Sequence, residues 1–157
     1  MKIQTRRFGV IEVDESRVIR MKGGILGFEQ RLAYTLVIQD EDNPLWWLQS
    51  LEDGELAFVV IDPLVVRPDY QPEIPKAALT VLEISRKETM SLLAIVTIRS
   101  QPFRVTANLR APLVINADTR IGGQVVLEDD QYPVRHEIVS SSVGREADPA
   151  AVGAANP

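Results

Sequence analysis

Apolar residues recur at every second position along much of this chain. Phe103, Val105 and Ala107 share one face, and Arg104 and Thr106 share the other. Ile11-Glu12-Val13 alternates, and Ile3 and Thr5 alternate with Lys2, Gln4 and Arg6. Period two belongs to a strand with one buried face, so these segments predict half-buried antiparallel strands. Two other runs are almost wholly apolar: Leu56-Ala57-Phe58-Val59-Val60-Ile61 and Leu92-Leu93-Ala94-Ile95-Val96. Their length and branched side chains predict central strands covered on both faces. Pro112 opens a further strand over Leu113-Val114-Ile115. Asn116-Ala117-Asp118-Thr119 then makes a turn, because Asn and Asp side chains bond to nearby backbone. Ile121 to Leu127 returns as a strand, bulged at Gly122-Gly123. The roughly 30-residue strand–helix–strand rhythm of a parallel sheet is absent.

Helical expectation is slight. Phe28 to Ala33 can form one turn after Gly27, and Pro75 to Leu82 another, with Pro75 at a first helical position. Composition agrees. Val and Ile supply 31 residues and Thr 7, which suits pleated surfaces. Ten prolines and nine glycines cut the chain into short pieces, of which Lys76 to Gln101 is the longest free of both. The expected fold is all-β: a small antiparallel β-barrel-like single domain over residues 1–138, with one or two short helical turns. Residues 139–157, VSSSVGREADPAAVGAANP, hold no aromatic residue, Leu or Ile. That composition predicts a disordered C-terminal tail, since too little apolar surface is available to offset ordering.

Charge and chemistry narrow the function. With 157 residues, no cysteine and one histidine, His136, the chain cannot build a thiolate zinc site, a disulfide, or a His-pair metal site of its own. The formal net charge is −5, opposite in sign to the footprint of a phosphate-binding protein. No apolar run approaches the roughly 20 residues of a membrane-spanning helix. The first seven residues lack the apolar core of a signal peptide.

The acidic clusters Asp40-Glu41-Asp42, Glu52-Asp53-Glu55 and Glu128-Asp129-Asp130 lack the ligand spacing of a calcium loop, and read as solvated turns. His136 near Ser140, Ser141 and Ser142 suggests a nucleophile, but no strained elbow aims a serine. Gly23-Gly24-Ile25-Leu26-Gly27-Phe28 fails the dinucleotide pattern and reads as a turn needing positive φ. Trp46-Trp47 is more informative. Adjacent strand residues face opposite ways, so one indole can enter the core while the other serves as an interface anchor or stacking platform, unless loops cover both faces. In Thr106-Ala107-Asn108-Leu109-Arg110-Ala111-Pro112, Asn108 can satisfy loop backbone groups. Leu109 either plugs the core or projects outward.

Taken in order, these segments resemble a known family. Phe8-Gly9-Val10-Ile11 is followed by Gly24-Ile25-Leu26-Gly27-Phe28-Glu29, Leu48-Gln49-Ser50-Leu51, Ala57-Phe58-Val59-Val60-Ile61-Asp62-Pro63 and Asp69-Tyr70. Thr106 to Asn116 and Gln124-Val125-Val126-Leu127 complete the series. Over Met1 to Glu137 the chain resembles the bacterial flagellar assembly factor FliW family. It departs at Met21-Lys22, where similar proteins tend to have Phe-Pro.

The resemblance implies a non-enzymatic β-barrel-like protein of the cytoplasm without cofactors. It would bind flagellin and antagonise the translational regulator CsrA in a partner switch, with no direct contact to nucleic acid or membrane. A monomer is the expected free state. Candidate partner-binding residues are Trp46, Trp47, Phe58, Tyr70, Asn108 and Leu109, chosen for apolar or aromatic character, or a loop position, beside the matched motifs. Two other classes stay in view. One is a nucleic-acid-binding barrel using the tryptophans with Arg99, Arg104 and Arg110. The other is an enzyme using carboxylates such as Asp62 and Glu128.

Overall fold

The computed structural model describes residues 1–138, so the predicted tail, 139–157, lies outside the described residues. Eleven strands and two short helices follow one another. They are β1 (Lys2–Thr5), β2 (Gly9–Glu12), β3 (Ile19–Met21), β4 (Ala33–Val37), β5 (Trp46–Ser50), β6 (Ala57–Ile61), α1 (Pro63–Val66), α2 (Lys76–Val81), β7 (Met90–Ser100), β8 (Phe103–Ala107), β9 (Leu113–Asn116), β10 (Ile121–Gln124) and β11 (His136–Glu137). The order β7-β6-β5-β4-β3-β10-β9, with β9 pairing back onto β7, closes a seven-stranded barrel. Closure removes the edges that an open sheet would expose. β1 and β2 form a separate antiparallel hairpin.

The key to closure is the eleven-residue β7. One edge of it pairs with β6. The other edge is shared: β9 pairs along Met90–Leu93 and β8 along Val96–Ser100. β8 and β9 thus follow one line beside β7, interrupted by Asn108 to Pro112. Two β7 residues, Ala94 and Ile95, face that five-residue interruption, so the chain must bulge. Asn108 holds the bulge: its Oδ1 accepts from the N–H of Arg110 (3.1 Å) and of Ala111 (3.0 Å). Leu109, fully buried, points into the core. Leu127 N–H then bonds to Arg110 C=O at 2.8 Å.

Strand parity divides the apolar residues into two layers. Ile19, Met21, Tyr34, Leu48, Phe58, Val60, Leu93, Leu113 and Ile115 fill the barrel interior. Their neighbours Val59, Ile61, Ala94, Val96 and Val105 face outward, where Tyr70, Leu109, Leu127 and Tyr132 cover them. Leu79 of α2 and Leu82, just after it, cover Val114 on the outer face of β9. This double covering explains why β6 and the middle of β7 read as continuous apolar runs. Ile25, Phe28 and Leu56 plug one end of the barrel, and Phe28 meets Phe58 edge-to-face at 5.1 Å. Tyr34, inside the barrel, has its phenol pushed up to about 12, chiefly by burial.

Several expectations change. β3 and β10 pair in parallel, although antiparallel pairing holds elsewhere. These strands are distant in sequence, so no hairpin imposes their direction. Phe28 to Ala33 is not helical. Gly27 adopts φ +90, Glu29 Oε2 accepts from Gly27 N–H at 2.7 Å, Ile25 bridges to Phe28, and Ala33 already belongs to β4. α1 was not anticipated; Asp62 caps it, its Oδ1 accepting from Leu64 N–H at 2.9 Å, with Pro63 at the first turn. Pro75 stands at the N-cap of α2 instead of inside it. The strand expected over Ile121 to Leu127 ends at Gln124, because the chain beyond follows the bulge.

The hairpin is attached where Arg6 N–H bonds to Gly54 C=O at 3.0 Å. A Cβ on Gly54 would lie 2.0 Å from Gln4 C=O, a backbone atom that cannot yield without moving β1. Gly54→Ala is therefore expected to destabilise the fold by about 2 kcal/mol, a usual cost of overpacking. Thermal denaturation checks this; an unchanged Tm would show that the hairpin is not held against the barrel.

Candidate functional site

The end of the barrel opposite Phe28 is open. Inward-facing Ile19, Leu36, Trp46, Leu93 and Ile115 form an apolar floor, and the mouth encloses about 700 Å³. The loop from Asp62 through α1, the segment Tyr70-Gln71-Pro72, Lys87, Ala117 and Arg120 make its rim. A mostly apolar concavity with a few polar groups at a barrel mouth is a preferred place for binding. Leu64, half exposed on α1, extends the apolar lining outward.

The rim is held by the outer layer. Tyr70 hydroxyl donates to Leu109 C=O at 2.6 Å, and Gln71 N–H donates to Tyr132 hydroxyl at 3.0 Å. The two rings meet edge-to-face at 4.6 Å, and Arg67 lies 4.8 Å from the Tyr132 ring centre. Burial raises the Tyr70 phenol pKa, which keeps it a donor. Arg120 stands in the left-handed region at φ 62. Its N–H donates to Asn116 C=O at 2.8 Å, while Asn116 Oδ1 accepts from the N–H of Asp118 and Thr119.

The six candidates separate. Trp46 and Tyr70 both line the mouth, Tyr70 with only 3% of its surface exposed. Trp47 faces the opposite side of β5, half-buried, with Phe8 edge-on at 5.9 Å and the Arg7 guanidinium 4.8 Å from its ring centre. Both indoles are half-buried, so neither fully enters the core. Phe58 and Leu109 are buried at 1% and 0% exposure and offer no surface to a partner. Asn108 spends its carbonyl oxygen on the bulge. Lys87, Arg120, Leu36, Met90 and Leu93 line the mouth without having been singled out. The parity of Leu93 and Ile115 was readable. Their convergence needs barrel closure, which no local pattern encodes.

The alternative chemistries find little support in the geometry. Asp62 lines the mouth but caps α1, and Glu128 is exposed and is not part of that lining. Arg99 and Arg104 stand opposite each other on β7 and β8, with Arg104 paired to Glu137 at 2.9 Å, while Arg110 Nε donates to Leu127 C=O at 3.4 Å. His136 Nδ1 lies 3.0 Å from Glu137 C=O; Ser140, Ser141 and Ser142 fall outside the described residues.

The acidic clusters are turns. Asp40, Asp53 and Asp129 each accept from the N–H two residues on. Glu52 accepts from the N–H of Ala33 at 2.8 Å and of Leu32, and these bonds hold its carboxylate below the usual range. Its contribution to stability is therefore present above the ordinary glutamate value of about 4.3 and fades as pH falls through the lowered folded value. The Tm deficit of Glu52→Gln should be largest near neutral pH and shrink on acidification. A deficit independent of pH would assign the effect to shape instead of charge.

A family model described as "FliW protein" matches residues 2–138. The chain belongs to the FliW family. The "Flagellar assembly factor FliW" of Syntrophus aciditrophicus is 53% identical over 141 residues, covering 90% of this chain and 89% of that protein. Its counterpart in Thermoanaerobacter pseudethanolicus is 40% identical over 141 residues, covering 88% and 93%. A crystal structure of the flagellar assembly factor FliW superposes with a TM-score of 0.80 at 33% identity, covering 91% of this chain and all of the other. The FliW relatives are thus named as assembly factors, and this chain shares their fold over nearly its whole length. Among the described residues of this chain, no helix is long and apolar enough to cross a membrane.

Proposed function

We propose that this chain is a non-enzymatic cytoplasmic flagellar assembly factor that binds flagellin at the barrel mouth and antagonises CsrA in a partner switch. Family membership supports the assembly role. The observation that carries the choice of surface is the preformed apolar mouth with half-buried Trp46 in its floor. Such a groove suits the apolar face of an amphipathic helix, one of the recurring modes of peptide recognition.

The CsrA half of the proposal rests on the family resemblance and on charge. The acidic turns are exposed and the chain carries a net charge of −5. Docked near the RNA site of a regulator, such a surface would repel phosphates without occupying that site.

Isothermal titration against flagellin and CsrA from the same bacterium tests both halves. One-to-one binding of flagellin that displaces CsrA supports the switch. Flagellin binding alone removes the regulatory half, and no binding of either overturns the proposal. Equal CsrA affinity at 50 and 500 mM salt would show that the acidic turns do not steer that complex. Sedimentation of the free protein should show a monomer.

A further inference from the structure

The charged residues lining the mouth are net positive, opposite in sign to the chain as a whole. Its lining carries Lys87 and Arg120 against one carboxylate, Asp62, on a chain whose net charge is −5. Asp62 Oδ1 is already engaged at the start of α1. The ion pairs among the described residues use Arg20, Arg31, Arg67 and Arg104, and neither Lys87 nor Arg120. Arg120 donates from Nη2 to Arg17 C=O at 3.3 Å, while its buried Nε has no partner among the described residues. Its backbone is held at φ 62, a conformation that glycine or asparagine adopts more readily. Two cations without a carboxylate partner among the described residues therefore stand at the rim of an apolar floor.

We propose that the mouth recognises a polypeptide segment carrying a carboxylate beside an apolar side chain. The apolar group seats on Trp46, Leu36 and Leu93, and Lys87 and Arg120 hold the carboxylate. This rests on the reading that flagellin docks at the mouth, and it assigns the chemistry of the docked segment. A polypeptide fits better than an enclosed small molecule, because the apolar lining runs out of the mouth onto half-exposed Leu64. Opposite charges at the rim of such a contact set register and partner choice.

The test titrates flagellin from the same bacterium into the full chain and into Lys87→Gln, Arg120→Asn and the double variant. Asparagine keeps the left-handed backbone accessible, and Lys87 is exposed, so both single variants should fold. The double variant should bind at least about tenfold more weakly at low salt, and added salt should weaken the unaltered protein more than the double variant. Carbodiimide coupling of the native complex should link Lys87 Nζ to an Asp or Glu of flagellin, read by mass spectrometry. A double variant that binds within about threefold of the unaltered protein overturns the carboxylate assignment while leaving flagellin docking intact. Failure of the unaltered protein to bind flagellin overturns the docking reading, and this proposal with it.

Discussion

Phe58→Ala should lose about 3–5 kcal/mol of stability, the usual range for truncating a buried phenylalanine. Phe58 is 1% exposed at the centre of the barrel, between Phe28 at 5.1 Å and Tyr34 at 6.2 Å. Leu48 stands opposite it on β5. The ring links the plug to the barrel wall, so its removal leaves a cavity bordered by three strands that hydrogen bonding holds apart. A domain of this size loses roughly 4 °C of Tm per kcal/mol, so a fall of roughly 10–20 °C is expected. Phe58→Leu, which keeps most of the volume, should cost about 1 kcal/mol. Denaturant unfolding of both variants checks the difference. A loss below about 1 kcal/mol for the alanine variant would mean that the interior collapses around the gap. The experiment also bears on function. At a temperature where Phe58→Ala is still folded, its flagellin affinity should be within about threefold of the unaltered protein, because the ring has no surface to give a partner.

Phe58 illustrates what the sequence could and could not say. The length and branched side chains of its apolar run mark it as a central strand, since both are local properties. The same run offered no way to tell a buried aromatic residue from a binding one, because burial depends on what covers the strand. Covering residues come from far away: Phe28 and Tyr34 precede Phe58 by more than twenty residues, and the residues facing the other side of β6 extend to Ile138. Leu109 makes the same point more sharply. Local chemistry is enough to mark Asn108 as the residue that satisfies the backbone of its loop, but it leaves the direction of Leu109 open. Its inward direction follows from β8 and β9 sharing one edge of β7, which is a fact of topology.

The parallel pairing of β3 with β10 was invisible for a related reason. Local pattern specifies which residues form strands, while direction between strands distant in sequence is set by closure. The mouth was hidden likewise. Trp46 could be suspected alone, but Lys87 and Arg120 join it only when β3, β9 and the turn after β9 meet around the ring.

The two tryptophans, adjacent in sequence, should now behave differently. Trp46→Ala is expected to weaken flagellin binding by about 2 kcal/mol or more, roughly thirtyfold, as for an aromatic anchor at the centre of an interface. Trp46, half-buried, lines the mouth with Leu36 and Leu93. Trp47 points to the other side of β5, where Phe8 and Arg7 pack on it. That contact joins the loop between β1 and β2 to the barrel wall. Trp47→Ala should therefore loosen the hairpin and lower stability, while leaving flagellin affinity within about threefold. Trp46→Phe, which keeps an aromatic floor, separates lost contact from lost folding. It should retain most of the affinity that alanine removes. Isothermal titration with circular dichroism on all three variants decides the matter. Equal loss of affinity at both positions would place the interface across the wall of β5 instead of at the mouth. Loss confined to Trp47 would move it to the hairpin side, where Arg7 and Phe8 would become the residues to test.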